Sequence, residues 1–121
     1  KLLGTVWEDR LACSKQRRAE ILMRAVRDNL ADCLVTLPTL IERQAWPSLL
    51  FWFANFDGMR RELWPAMAAY DFMKVSSDVT ALQALVVRGA THWEAVARRL
   101  LASDEAGIEA LSHNTAALAL A

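Results

Sequence analysis

Leu22, Val26, Leu30, Cys33, Leu34 and Leu37 recur at steps of three and four, with Ile21 and Ala25 beside them. That spacing draws one apolar stripe along an amphipathic α-helix, and it constrains the fold more than any other feature of the chain. Arg24, Arg27, Asp28 and Asp32 fall on the other faces. The spacing predicts a long central helix from about Arg18 to Leu37, with Leu22, Val26, Leu30 and Leu34 turned inward. Pro38 is expected to end it, because the residue before a proline is pushed out of the helical region. No segment shows sustained two-residue alternation bounded by hairpin turns, so no sheet is expected. The chain reads as all-α: a compact bundle of about six short-to-medium helices with corners made by prolines.

The second organising stretch is residues 45–70. It holds Trp46, Trp52 and Trp64 of the five tryptophans, Phe51, Phe53 and Phe56 of the four phenylalanines, and the only tyrosine, Tyr70. Each such ring buries roughly 150–250 Å², so this segment must supply core or interface. Trp46-Pro47 breaks the chain and places Pro47 at a helix start, where its missing N–H costs nothing. Residues 49–56 are apolar almost all round and are expected to be buried on most sides, with Asn55 and Asp57-Gly58 as the stop. Pro65 opens or kinks the next helix, and Met67, Tyr70 and Phe72 are expected to face inward. Met59, Met67 and Met73 are expected to fill gaps nearby. Trp52, Phe56, Trp64, Met67 and Tyr70 are the candidate lining of a ligand pocket.

Capping signals divide the rest. Thr5-Val6-Trp7-Glu8, Thr39-Leu40-Ile41-Glu42 and Thr91-His92-Trp93-Glu94 each have capping-box spacing, in which hydroxyl and carboxylate serve opposite amides of a helix start. Ser76-Ser77-Asp78 reads as a loop with an N-cap. Val79, Leu82, Leu85 and Val86 form the following stripe, and Gly89 is expected to end it in the left-handed conformation. Val96, Ala97, Leu100 and Leu101 then face inward. Ser103-Asp104 opens a last helix with Ile108 and Leu111 inside. The tail, residues 114–121, is small and apolar without a stop signal.

The totals bound the function. At 121 residues the chain makes one domain, residues 1–121, and its first residue, Lys1, suggests a piece of a larger protein. Hydrophobic residues make up 55% and charged residues 23%, which excludes disorder. With 14 basic and 14 acidic residues there is no net field to recruit nucleic acid. The basic clusters at 15–18, 60–61 and 98–99 read as solvated helix faces. Residues 79–101 have helix-turn-helix spacing, yet an acidic, tryptophan-bearing first turn suits a major groove poorly. The longest apolar run, residues 49–54, is far short of the ~20 residues of a membrane span. An interfacial helix would need a basic opposite face, which residues 49–56 lack.

Catalytic and metal signatures are missing as well. Cys13 and Cys33 have neither metal nor redox spacing, and Cys33 on the apolar stripe reads as a free buried thiol. There is no glycine-rich loop, His-Glu-x-x-His or nucleophile elbow. His92, Asp104 and His113 on the last two helices resemble the end of the ligand-binding domains of GntR-type regulators. The upstream Asp-x-x-x-His metal pair of that family is absent, so the likeness assigns neither membership nor metal. No cofactor or metal is expected.

The expectation is a non-enzymatic interaction, dimerisation or sensory module, bacterial in style and cytoplasmic, working on itself or another protein through an apolar helix face. Trp7, Leu11, Leu118 and Leu120 lie outside the best-defined stripes and are the candidates for that surface. The rivals are a small-molecule effector domain of a transcriptional regulator, with an apolar ligand in the aromatic pocket, and an enzyme without a recognisable motif.

Overall fold

The computed structural model describes residues 17–121. Of these, 77% are helical and none is in a strand, in a compact all-α arrangement. The first helix, α1 (Arg17–Ala31), continues through a π turn (Asp32–Thr36) into α2 (Leu37–Glu42), giving one rod over residues 17–42. Then follow α3 (Trp46–Ala54), α4 (Gly58–Glu62), α5 (Pro65–Ala68), a 3-10 turn at Phe72–Lys74, the long α6 (Val79–Leu101), α7 (Glu105–Ser112) and a 3-10 turn at Thr115–Ala117. Thr5–Glu8, Trp7, Leu11 and Cys13 lie outside the described residues.

The rod departs from expectation at Pro38, which does not end the helix. In a regular α-helix Pro38 would lack its amide bond to residue 34, and its ring would press on that carbonyl. The π turn removes the conflict: the Leu37 amide reaches back five residues to the Asp32 carbonyl, and the chain passes Pro38 in a wider turn. Thr39 therefore lies inside α2 rather than capping a new helix. The wide turn also spends residues on the outer face. Leu22, Val26, Leu30, Cys33, Leu37 and Ile41 are buried, whereas Leu34, expected inside, is 45% exposed beside Val35. Ile21 is likewise partly exposed.

The second correction concerns α6. It runs unbroken through Gly89 and Thr91, so Gly89 ends nothing and the third capping box is mid-helix. Gly89 has another use. A Cβ there would sit 2.6 Å from Cys33 Sγ and 2.7 Å from Trp64 Cζ2, so only glycine lets α6 approach the rod this closely. α6 lies antiparallel to the rod, Gly89 meeting Cys33 while Gln83 and Val86 lie by Pro38 and Ile41. With a continuous α6, the turn required by a helix-turn-helix does not exist.

Prolines and one glycine make the corners between the rod and α6. Pro47 falls in the first turn of α3 and Pro65 opens α5. Gly58 has φ +60 at the start of α4, a conformation that costs a side-chain-bearing residue more. α3 is not buried on most sides: Leu49 and Trp52 point inward, while Leu50 and Phe51 are exposed. Met59 and Met67 fill the core as expected, but Met73 is on the surface. Asp104 does open α7, its carboxylate accepting the Gly107 amide at 2.7 Å.

Candidate functional site

The aromatic candidates come together, but as packing. Trp52 stacks on Phe56 at 4.8 Å between ring centres, Phe56 meets Trp64 edge-on at 6.0 Å, and Trp64 meets Trp93 edge-on at 5.8 Å. Trp52, Phe56, Trp64 and Met67 are all buried. Tyr70 is half-buried at the end of a second group, stacked on Phe53 at 5.7 Å, with Phe72 against the same ring at 5.4 Å. The indole nitrogens of Trp64 and Trp93 are buried without an acceptor, a cost offset only by the ring contacts around them.

Over one edge of this cluster lies a polar clasp. Asp32 opens the π turn, and its Oδ2 accepts from Trp52 Nε1 at 2.9 Å and from Arg60 Nη2. Arg60 Nε donates to Asn29 Oδ1 at 3.3 Å, and Asn29 Nδ2 donates back to the Arg60 carbonyl at 3.2 Å. The guanidinium also lies 5.6 Å from the Trp52 ring centre and 5.7 Å from that of Phe56. Asn29 is fully buried, and Asp32 and Arg60 are mostly so. Each polar group thus answers another, and the set fastens α4 and α3 to the rod. Sequence reasoning put Asp32 on an outer face and Arg60 on a solvated one. The available signal was Asn29, a polar residue at stripe spacing between Val26 and Cys33.

The clasp supplies no obvious nucleophile. Burial, reinforced by the charge of Asp32, pushes the Cys33 thiol from an ordinary 9.0 up to about 12, so it stays protonated and inert near neutral pH. The histidines are engaged elsewhere: His92 Nε2 lies 2.7 Å from the Leu118 carbonyl, and His113 caps the end of α7. Among the described residues, no three His, Cys, Asp or Glu side chains are grouped to hold a metal ion. No described helix is long and apolar enough to cross a membrane.

Of the expected surface residues, Leu118 is a core residue, 2% exposed, and Leu120 is half-buried against the core. They fail as surface because the tail folds back: Leu120 N donates to the Leu63 carbonyl and Leu120 O accepts from the Ala66 amide. The exposed apolar side chains lie elsewhere. Leu34 and Val35 on the π turn and Leu50 and Phe51 on α3 stand on elements joined by the Asp32–Trp52 bond, with Val35 61% and Phe51 70% exposed. On the other flank of the rod, Pro38, Ile41, Glu42, Gln83, Val86 and Val87 line a groove of about 430 Å³ between α2 and α6.

Fold and site together define an all-α domain with an internally satisfied polar clasp and apolar side chains exposed beside it. The model of a family of unknown function (DUF6866), C-terminal domain, matches residues 1–120, and the chain belongs to that family. No curated protein and no solved structure matches the chain.

Proposed function

We infer that this domain is a non-enzymatic module that associates with a second copy of itself, through the face formed by the π turn and α3. The observation behind this is that Leu34, Val35, Leu50 and Phe51 are exposed on two elements that the Asp32–Trp52 bond joins, while Ile21, Met73 and Val87 are exposed on other elements. Contiguous exposed apolar surface marks interaction sites on folded proteins, and four such side chains on two joined elements are the candidate here. A formal net charge of zero adds no long-range repulsion between copies. The Asp32–Arg60–Trp52 clasp supports the same reading, since it holds the two elements of the face in fixed register.

Sedimentation equilibrium over a wide concentration range tests this. The chain is expected to dimerise, and the double variant Val35→Ser, Phe51→Ser to remain monomeric with an unchanged circular dichroism spectrum. A monomer at every concentration would overturn the reading.

The groove between α2 and α6 favours a second reading, a small apolar ligand. Its volume of about 430 Å³ is in the range of small-molecule sites, roughly 300–1,000 Å³. Apolar compounds that raise the melting temperature of the chain but not of Val86→Trp would favour this alternative.

A further inference from the structure

α2 and α6 each give the groove between them three side chains at steps of three and four: Pro38, Ile41 and Glu42 from one, Gln83, Val86 and Val87 from the other. Such steps put each trio on one helix face. Ile41 and Val86 are buried, Pro38 is half-buried, and Val87 stands exposed at the rim. The two helices are antiparallel, with Gly89 against Cys33. Going away from that contact, Pro38, Val86 and Val87 come first, and Gln83 and Glu42 come later. The groove is therefore apolar at one end and polar at the other. Glu42 is the one charged side chain of its lining, and it ends the rod. The last carbonyls of a helix carry partial negative charge, which adds to that of the carboxylate. Among the described residues, neither the Glu42 carboxylate nor the Gln83 amide has a hydrogen-bond or ion-pair partner.

An apolar trough that ends in an unpaired carboxylate suits a ligand with a hydrocarbon body and a cationic head. Resting on the small-ligand reading of this groove, we propose that it binds a small alkylammonium compound, with the hydrocarbon on Ile41, Val86 and Val87 and the ammonium at Glu42. An ammonium is donor-only and a carboxylate acceptor-only, and the Gln83 carbonyl offers a second acceptor beside it. An alcohol of the same chain length keeps the hydrocarbon contact but loses the charge. A fatty acid brings its own carboxylate against Glu42 and is disfavoured. Glu42 is exposed, and exposed ion pairs contribute little, so hydrocarbon burial supplies most of the affinity while the head sets the preference. None of the lining residues belongs to the face of the π turn and α3, so this site stands apart from self-association.

Three probes of equal chain length test the proposal: hexylamine, 1-hexanol and hexanoate, each titrated into the chain near neutral pH and followed by the NMR shifts of the Val86 and Val87 methyls. Hexylamine is expected to bind roughly threefold more tightly than 1-hexanol and roughly tenfold more tightly than hexanoate. Glu42→Gln, a change at an exposed position, should bring hexylamine down to the affinity of 1-hexanol and leave 1-hexanol itself unchanged. Added salt should weaken hexylamine but not 1-hexanol. Hexylamine binding no tighter than 1-hexanol, or a preference that survives Glu42→Gln, would refute the ammonium site and leave a groove for apolar ligands. No shift at Val86 or Val87 with any of the three would remove both.

Discussion

Gly89 shows how a single residue position is decided by competing magnitudes. In a helix interior, alanine is favoured over glycine by roughly 1 kcal/mol. Here the added methyl would lie 2.6 Å from Cys33 Sγ and 2.7 Å from Trp64, both buried and packed on their far sides. Overfilling a packed core costs about 1–3 kcal/mol, so the steric term wins. Gly89→Ala is therefore expected to lower the unfolding free energy by roughly 1–2 kcal/mol in urea titration. In a double-mutant cycle, Cys33→Ala should recover part of that loss by removing the sulfur, while the Trp64 contact remains; strict additivity would show that the sulfur is not the obstacle. Leu30 is the plainer case. It is buried where the rod meets the rest of the core, and Leu30→Ala is expected to cost about 2–5 kcal/mol. A wild-type midpoint would remove Leu30 from the core.

The elements were legible in the sequence wherever one local signal decided the outcome. The stripe Leu22–Val26–Leu30–Cys33–Leu37 is buried as its spacing predicts, and Asp104 caps α7. Reading failed where a distant contact outweighed a local preference. Pro38 and Gly89 both look like helix ends, but one is carried by a π turn and the other is demanded by Cys33 and Trp64 across the interface. Of the site, the aromatic packing could be anticipated from composition, whereas the Asp32–Arg60 pairing joins residues 28 apart and left only buried Asn29 as a trace. That clasp sets the register between the rod and α4, so Arg60→Lys is not a mild change. A lysine cannot reproduce the fork to Asn29 and Asp32 or lie flat on Trp52. The pair retains some solvent contact, which tempers the cost to about 1–2 kcal/mol. The denaturation midpoint of Arg60→Lys checks this, and a Trp52→Phe partner mutation should show coupling of at least ~0.5 kcal/mol. No coupling would mean that the indole and the guanidinium act independently.

At the scale of the whole molecule, rod, α3 to α5, α6, α7 and tail share one core, so a group buried at its centre bears on the stability of the whole domain. Cys33 is such a group. Its thiol titrates at about 12 in the folded chain against an ordinary 9.0, chiefly through burial and secondarily through the charge of Asp32. The sign follows from proton counts. Between these two values the unfolded chain has lost the thiol proton while the folded chain keeps it, so the unfolded state binds fewer protons and stability falls as pH rises. The contribution is intact below pH 9.0 and is lost on the way to about 12. At about 1.4 kcal/mol per pKa unit, the loss amounts to a few kcal/mol, a sizeable part of a domain's stability. Tyr70 bends the curve the same way, its pKa raised by burial and then by Asp78 and Asp71, so among the described residues two groups contribute to the wild-type slope. Cys33→Ala separates them: it should lower stability at neutral pH through lost packing, yet flatten the decline above pH 9 by the share of the Cys33 thiol, leaving that of Tyr70 in place. Urea titrations of both chains at intervals from pH 8 to 11 give the two slopes. Equal slopes would mean that the thiol is not buried in the folded chain as its place against Gly89 requires.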